Sequence, residues 1–132
     1  MGMMAADIKP SLQGAIPAVL YTASLDGVPN AAIISQVYWV DEDHVALSFQ
    51  FFSKTIKNIR ENPFAYVVVM DPAHGWFWNL EVQFLRSEAS GPVFDEMDMQ
   101  LEAIASASGM AGVFKLKAAD IYRVLSVRKV SG

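Results

Sequence analysis

Apolar residues in this chain alternate with small or polar ones over short runs broken by turn signals, a pattern that predicts strands. Residues 16–25 are rich in apolar and β-branched side chains (Ile16, Val19, Leu20, Tyr21, Thr22) and read as the first strand. Asp26-Gly27 is a hairpin signal. The return strand runs over about 28–40, with Pro29 at its start, where a missing donor is tolerated. Ile33, Val37 and Trp39 fall on one of its faces and Ile34, Tyr38 and Val40 on the other, so both faces are expected to be covered. Ser35 and Gln36 are its polar breaks. After the turn Asp41-Glu42-Asp43, a third strand over 44–52 sets Val45, Leu47, Phe49 and Phe51 against His44, Ala46, Ser48, Gln50 and Phe52. Further strands are predicted over 64–70, over 76–89, and, as one strand or a pair, over 113–130.

Two segments break the strand rhythm. Over 53–63, Ser53 suits an N-cap, Ile56 and Ile59 share one helical face, and Asn62-Pro63 stops the helix. Over 93–107, Phe94, Met97, Leu101 and Ile104 form one apolar stripe, with Asp95, Glu96 and Asp98 in the first turns and Ser108-Gly109 as a C-cap. Residues 6–14 add one or two helical turns, interrupted by Pro10. The order is three strands, a short helix, two strands, a longer helix and a final strand. Short turns make neighbouring strands antiparallel, and about six strands in so short a chain predict a closed or nearly closed barrel. Residues 1–132 form a single domain with no repeat or linker.

Composition adds an interface. Hydrophobic residues make up 53 % of the 132 and charged residues only 18 %, an apolar excess that a buried dimer face would absorb. The net charge of −4 and the lack of a basic run exclude a nucleic-acid backbone as partner. With no cysteine, disulfides, thiolate metal sites and cysteine nucleophiles are excluded. Two histidines, His44 and His74, are too few for a histidine-rich metal site. No apolar run is long enough to span a bilayer, and the N-terminus lacks the pattern of a signal peptide, so a soluble cytoplasmic protein without membrane partners is expected.

The chemistry concentrates at Ser53-Lys54-Thr55-Ile56-Lys57. Two hydroxyls, two lysines and the free N–H groups of a helix start are equipment for a phosphate, although the same residues also make an ordinary capped helix. His74 sits in a loop beside Trp76, where an ordinary loop role is the simpler reading, and His44 reads as a surface turn residue.

The order of elements, with Ser53-Lys54-Thr55 opening a helix and Lys57-Asn58-Ile59-Arg60-Glu61-Asn62-Pro63 following, resembles the pyridoxamine 5′-phosphate oxidase-like family of FMN-binding split barrels. Four further stretches carry the resemblance: Thr22-Ala23-Ser24-Leu25-Asp26-Gly27-Val28-Pro29-Asn30, Ser35-Gln36-Val37-Tyr38-Trp39, Phe94-Asp95-Glu96-Met97-Asp98 and Ala119-Asp120-Ile121-Tyr122-Arg123-Val124. It implies a mainly β, six-stranded antiparallel split β-barrel of Greek-key type that works as a homodimer with two FMN sites at its interface. Ser53, Lys54 and Thr55, with Ser48 and Gln50, would hold the flavin phosphate. The backbone of Ala32, Ile33, Ile34 and Ser35 would border the isoalloxazine, and the partner would add Trp76, Trp78, Asn79 or Gln83. Many members carry an Arg-Lys pair at the phosphate, where this chain has Lys54 and, a turn later, Lys57. The C-terminal Arg-Leu-x-Pro run of the true oxidases is absent. The implied function is therefore a flavin-dependent oxidoreductase on an unidentified small molecule. The alternative is a non-catalytic flavin- or haem-binding sensor or dimerisation module, and a deazaflavin cofactor is a third reading.

Overall fold

In the computed structural model, which describes residues 2–12, 16–34, 36–48, 53–107, 109 and 116–130, seven strands make one antiparallel sheet. They are β1 (Ala18–Ala23), β2 (Pro29–Ile34), β3 (Tyr38–Asp41), β4 (His44–Ser48), β5 (Phe64–Met70), β6 (Phe77–Glu88) and β7 (Ala119–Val130). A 3-10 turn (Ala6–Ile8) runs into α1 (Lys9–Leu12); α2 is Ser53–Glu61 and α3 is Pro92–Ala107.

The strand order β2-β1-β5-β6-β7-β4-β3 puts β2 and β3, neighbours in the chain, at opposite edges. Only residues 35–37 separate them. Four backbone steps reach at most about 14 Å, whereas the edges of a flat seven-stranded sheet lie about 29 Å apart. The sheet must therefore roll up, and the chain itself ties its edges together. The single strand expected over 28–40 is delivered as two, which is why seven strands form a barrel anticipated from six.

Alternation sorts each strand into two faces. Leu20, Val45, Val67, Leu80 and Val82 point into the barrel, each with no measurable exposure. Met4, Ile8 and Leu12 join them from the N-terminal segment at one mouth, where the Leu12 carbonyl accepts from Val37 N–H at 3.3 Å. At the other mouth α2 adds Ile59. Outside the barrel, Met97 of α3 packs with Tyr38, Ala46, Ala119 and Ile121 in a second core. The small face of β4 expected from Ala46 and Ser48 is thus partly a seat for α3. Polar pairs fix that seat. Gln36 Nε2 donates to Gln100 Oε1, and Glu96 lies beside the Tyr38 phenol. The two helix residues lie four apart and the two chain residues two apart, so each pair shares a face. Burial, with Glu96 beside it, pushes the Tyr38 phenol up to about 12.

The turns follow their chemistry. Gly27 adopts φ 85°, a conformation costly for any residue with a Cβ, and its N–H donates to the Ser24 carbonyl. At the β5–β6 turn, Asp71 is 4 % exposed and its Oδ1 accepts from the N–H groups of Ala73 and His74 at 2.8 and 2.9 Å. Burial pushes this carboxyl up, but those N–H groups and His74 outweigh it and hold it below its ordinary value. Among the described residues, no helix is long and apolar enough to cross a membrane.

Candidate functional site

The helix that carries the phosphate-binding candidates is mounted on the β1–β2 hairpin by side-chain hydrogen bonds. Asn30 Nδ2 donates to Thr55 Oγ1 at 3.1 Å, and Asn58 Nδ2 to Thr22 Oγ1 at 3.2 Å. After the helix, Asn62 Nδ2 donates to the Ala23 carbonyl at 3.3 Å. Ile59, 7 % exposed, supplies the apolar contact. The first turn of α2 is thereby fixed beside the start of β2. A helix start fixed in this way beside a strand is a place where an anion can be held.

Of the residues expected at this site, Thr55 is 2 % exposed and already accepts a hydrogen bond, leaving its own O–H to donate. Ile34 is buried at 2 % exposure, while Ile33, on the opposite face of β2, is 69 % exposed. Ser48 is half-buried and pairs in register with Ala119. Ser35 and Gln50 lie outside the described residues, as do the side chains of Ser53 and Lys54.

Asn79 belongs to the same outer row as Ile33: the register runs Ile33, Val19, Val68, Asn79, Arg128. Three strand spacings separate Ile33 from Asn79, about 14 Å. One chain does not bring Asn79 to β2. Nor does it bring Trp76, which packs against the barrel core between His74, stacked at 4.2 Å, and Lys129, whose Nζ lies 4.0 Å from the ring centre. The indole N–H groups of Trp76 and of Trp78, another partner-side candidate, are buried without an acceptor. Gln83 pairs with Phe64 on the outer face.

Both histidines are engaged with the acid three residues before them. His44 Nδ1 lies 2.8 Å from Asp41 Oδ1, and His74 Nδ1 lies 3.3 Å from Asp71 Oδ2. The turn role expected of each is what the geometry shows. Among the described residues, no group of three or more His, Asp or Glu side chains is arranged to hold a metal.

Sequence reasoning passed over Gln36 as a mere polar break. It is 7 % exposed, one residue beyond Ser35, and its Oε1 has no partner. A glutamine amid Ile34, Val37 and Tyr38 was the available signal, since a buried amide needs partners for both ends. Also passed over was Asp120, 7 % exposed, whose Oδ1 accepts from Ser87 Oγ at 2.6 Å. Burial pushes its carboxyl up, and the Ser87 bond offsets this only in part.

The family model described as "Pyridoxamine 5′-phosphate oxidase" matches residues 4–125. No curated protein sequence matches the chain. Among solved structures, an FMN-binding protein of Syntrophomonas wolfei subsp. wolfei superposes with TM-score 0.77 at 19 % identity, covering 96 % of this chain and 86 % of that one. A tagged HupZ of Group A Streptococcus gives 0.69 at 17 % identity, covering 98 % and 100 %. An F420 reductase gives 0.68 at 13 %, covering 95 % and 98 %. At such identities these likenesses show the shared split-barrel fold.

Proposed function

The chain belongs to the pyridoxamine 5′-phosphate oxidase family, and on that footing we propose that it is a homodimeric FMN-binding oxidoreductase acting on a small molecule. The observation that carries this reading is the placement of the first turn of α2 beside the start of β2, held by the Asn30–Thr55 bond. The donor types there suit a phosphate: the N–H groups opening α2, Ser53, Lys54 and the Thr55 hydroxyl. Ser48, at the end of β4, and Gln50 would complete the phosphate's partners. A flavin ring laid along Ile33, Ile34 and Ser35 would meet the strand backbone, and the open acceptor Gln36 Oε1 suits a ring N–H. When bound, FMN would supply the hydride chemistry, and this chain would supply position and a dry slot.

The outer face of β2, β1, β5 and β6 supports the dimer. Ile33, Tyr21, Tyr66, Phe64 and Leu85 there are 69, 44, 50, 51 and 40 % exposed. A second copy covering this row would bring its own Trp76 or Asn79 toward a shared site, a role that neither residue can play within its own chain.

The test is an absorption spectrum of the purified protein before and after loading with FMN and desalting. Retained flavin bands that disappear in Lys54→Ala are expected, and bleaching by NADH or NADPH would mark an enzyme. A protein that stays colourless would overturn the flavin reading. The shared fold of an F420 reductase makes deazaflavin the second cofactor to load.

A further inference from the structure

The second mouth of the barrel holds a cavity of which the flavin reading uses one lining residue, Thr55. It lies under α2, occupies about 90 Å³, and is lined by Thr55, Ile56, Ile59, Arg60, Phe84, Ser87, Asp120 and Tyr122. Along β7, Ile121 faces the core under α3 while Tyr122 faces the barrel interior. Alternation then turns Asp120 inward as well, to the interior side of the strand. Its neighbours across the ladder are Leu47 and Ser87.

Asp120 is the unexplained group in this cavity. It is more than nine-tenths buried, and among the described residues its side-chain donor is Ser87, on Oδ1. Among the described residues it forms no ion pair. A buried carboxylate with a single hydrogen bond is expensive, and a cationic donor is its natural partner. The exposed Arg60 belongs to the same lining, so the cavity offers an anion in its depth and a cation at its mouth. Ile56, Ile59, Phe84 and Tyr122 make the walls between them apolar and aromatic, with Phe84 edge-on to Tyr122 at 5.5 Å. The volume equals about three waters, the bulk of a chain of about two to four carbons with its polar ends.

We propose that this cavity binds a small zwitterion, a short aliphatic amino acid, with its ammonium on Asp120 and its carboxylate on Arg60. Ser87 keeps the Asp120 carboxyl aimed into the cavity, and the apolar walls exclude bulkier or branched polar ligands. The site borders the flavin phosphate site at Thr55, but its two charges, Asp120 and Arg60, have no part in the flavin reading.

The experiment titrates the full chain with β-alanine and γ-aminobutyrate, using propylamine and butyrate as single-charge controls, by calorimetry and by methyl NMR of the isoleucines. Saturable binding of an amino acid with shifts at Ile56 and Ile59 is expected. Asp120→Asn and Arg60→Gln should each weaken it by about tenfold to a hundredfold, as loss of a charge-assisted hydrogen bond would. Ile59→Phe, which fills the cavity and keeps both charges, should abolish it. Arg60 is exposed, so its variant leaves the fold intact should a core variant not fold. Absence of binding to either amino acid overturns the proposal, as does binding that Arg60→Gln leaves unchanged. Propylamine binding as tightly as the amino acids would overturn the zwitterion assignment.

Discussion

Asn58 shows what helical spacing leaves out. In sequence it is one residue of the run from Lys57 to Pro63; in the structure it is 5 % exposed and bonded to Thr22. Periodicity gives the faces of a helix but not which polar residue meets a polar partner. Asn58→Ala leaves the Thr22 hydroxyl buried without its donor and is expected to cost about 1–3 kcal/mol in urea unfolding. Thr22→Val added to it should cost less than the sum of the single changes, since neither then strands a partner. Thr55 carries a related lesson, because its hydroxyl also accepts from Asn30, a bond that helical spacing does not reveal. Asp120 yields a pH prediction. Its carboxyl binds its proton more tightly folded than unfolded. Its contribution therefore favours the fold below the unfolded pKa, about 3.9, and is lost as pH rises through the raised folded value. Asp120→Asn keeps an acceptor for Ser87. It should melt higher than the parent at neutral pH, and that advantage should vanish below about pH 4. Equal melting points at pH 7 would mean the carboxylate is well solvated.

Elements were legible where local chemistry decides them. Asp26-Gly27 marked the β1–β2 hairpin, and the stripe through Met97 and Leu101 marked α3, because turn geometry and helical spacing are properties of short stretches. Gly27→Val must force a Cβ into φ 85°, with open space around it, so the cost is purely of the backbone. A loss of about 1–2 kcal/mol is expected by thermal unfolding, with Gly27→Asn losing clearly less. The division of 28–40 into β2 and β3 was not legible. Alternation continues across 35–37, and nothing local says that the next four residues pair at the far edge of the sheet. The end of β4 was placed from a run of apolar residues whose last members, from Phe49 on, lie outside the described residues.

At the scale of the whole molecule, the barrel was legible from strand count and length. The candidate site could be drawn from the sequence only around the opening of α2, because what surrounds it depends on pairings between strands distant in sequence. The apolar outer face makes a quantitative claim about assembly. Tyr66 sits in it with its hydroxyl 2.8 Å from Glu81, at the centre of the row that β1, β5 and β6 share. Ile33→Lys with Tyr66→Arg would place two cations in that face, and light scattering should then report half the parent mass with the far-UV spectrum unchanged. A parent that already runs as a monomer would remove the dimer and the partner-supplied residues with it.

The position of β7 in the sheet has a consequence in time. Arg123 pairs with Gln83 on one side and with His44 on the other, so the strand latest in the chain is the wedge between β6 and β4. Every hairpin before it forms between near neighbours, but the ring cannot shut until this segment arrives and finds two partners at once. During refolding, β6 and β4 therefore wait with bare edges, open to strands from other molecules. The yield of refolded protein is set by how quickly one late strand is captured, and dilution or a slower rise in concentration should improve it more than any gain in stability of the finished barrel.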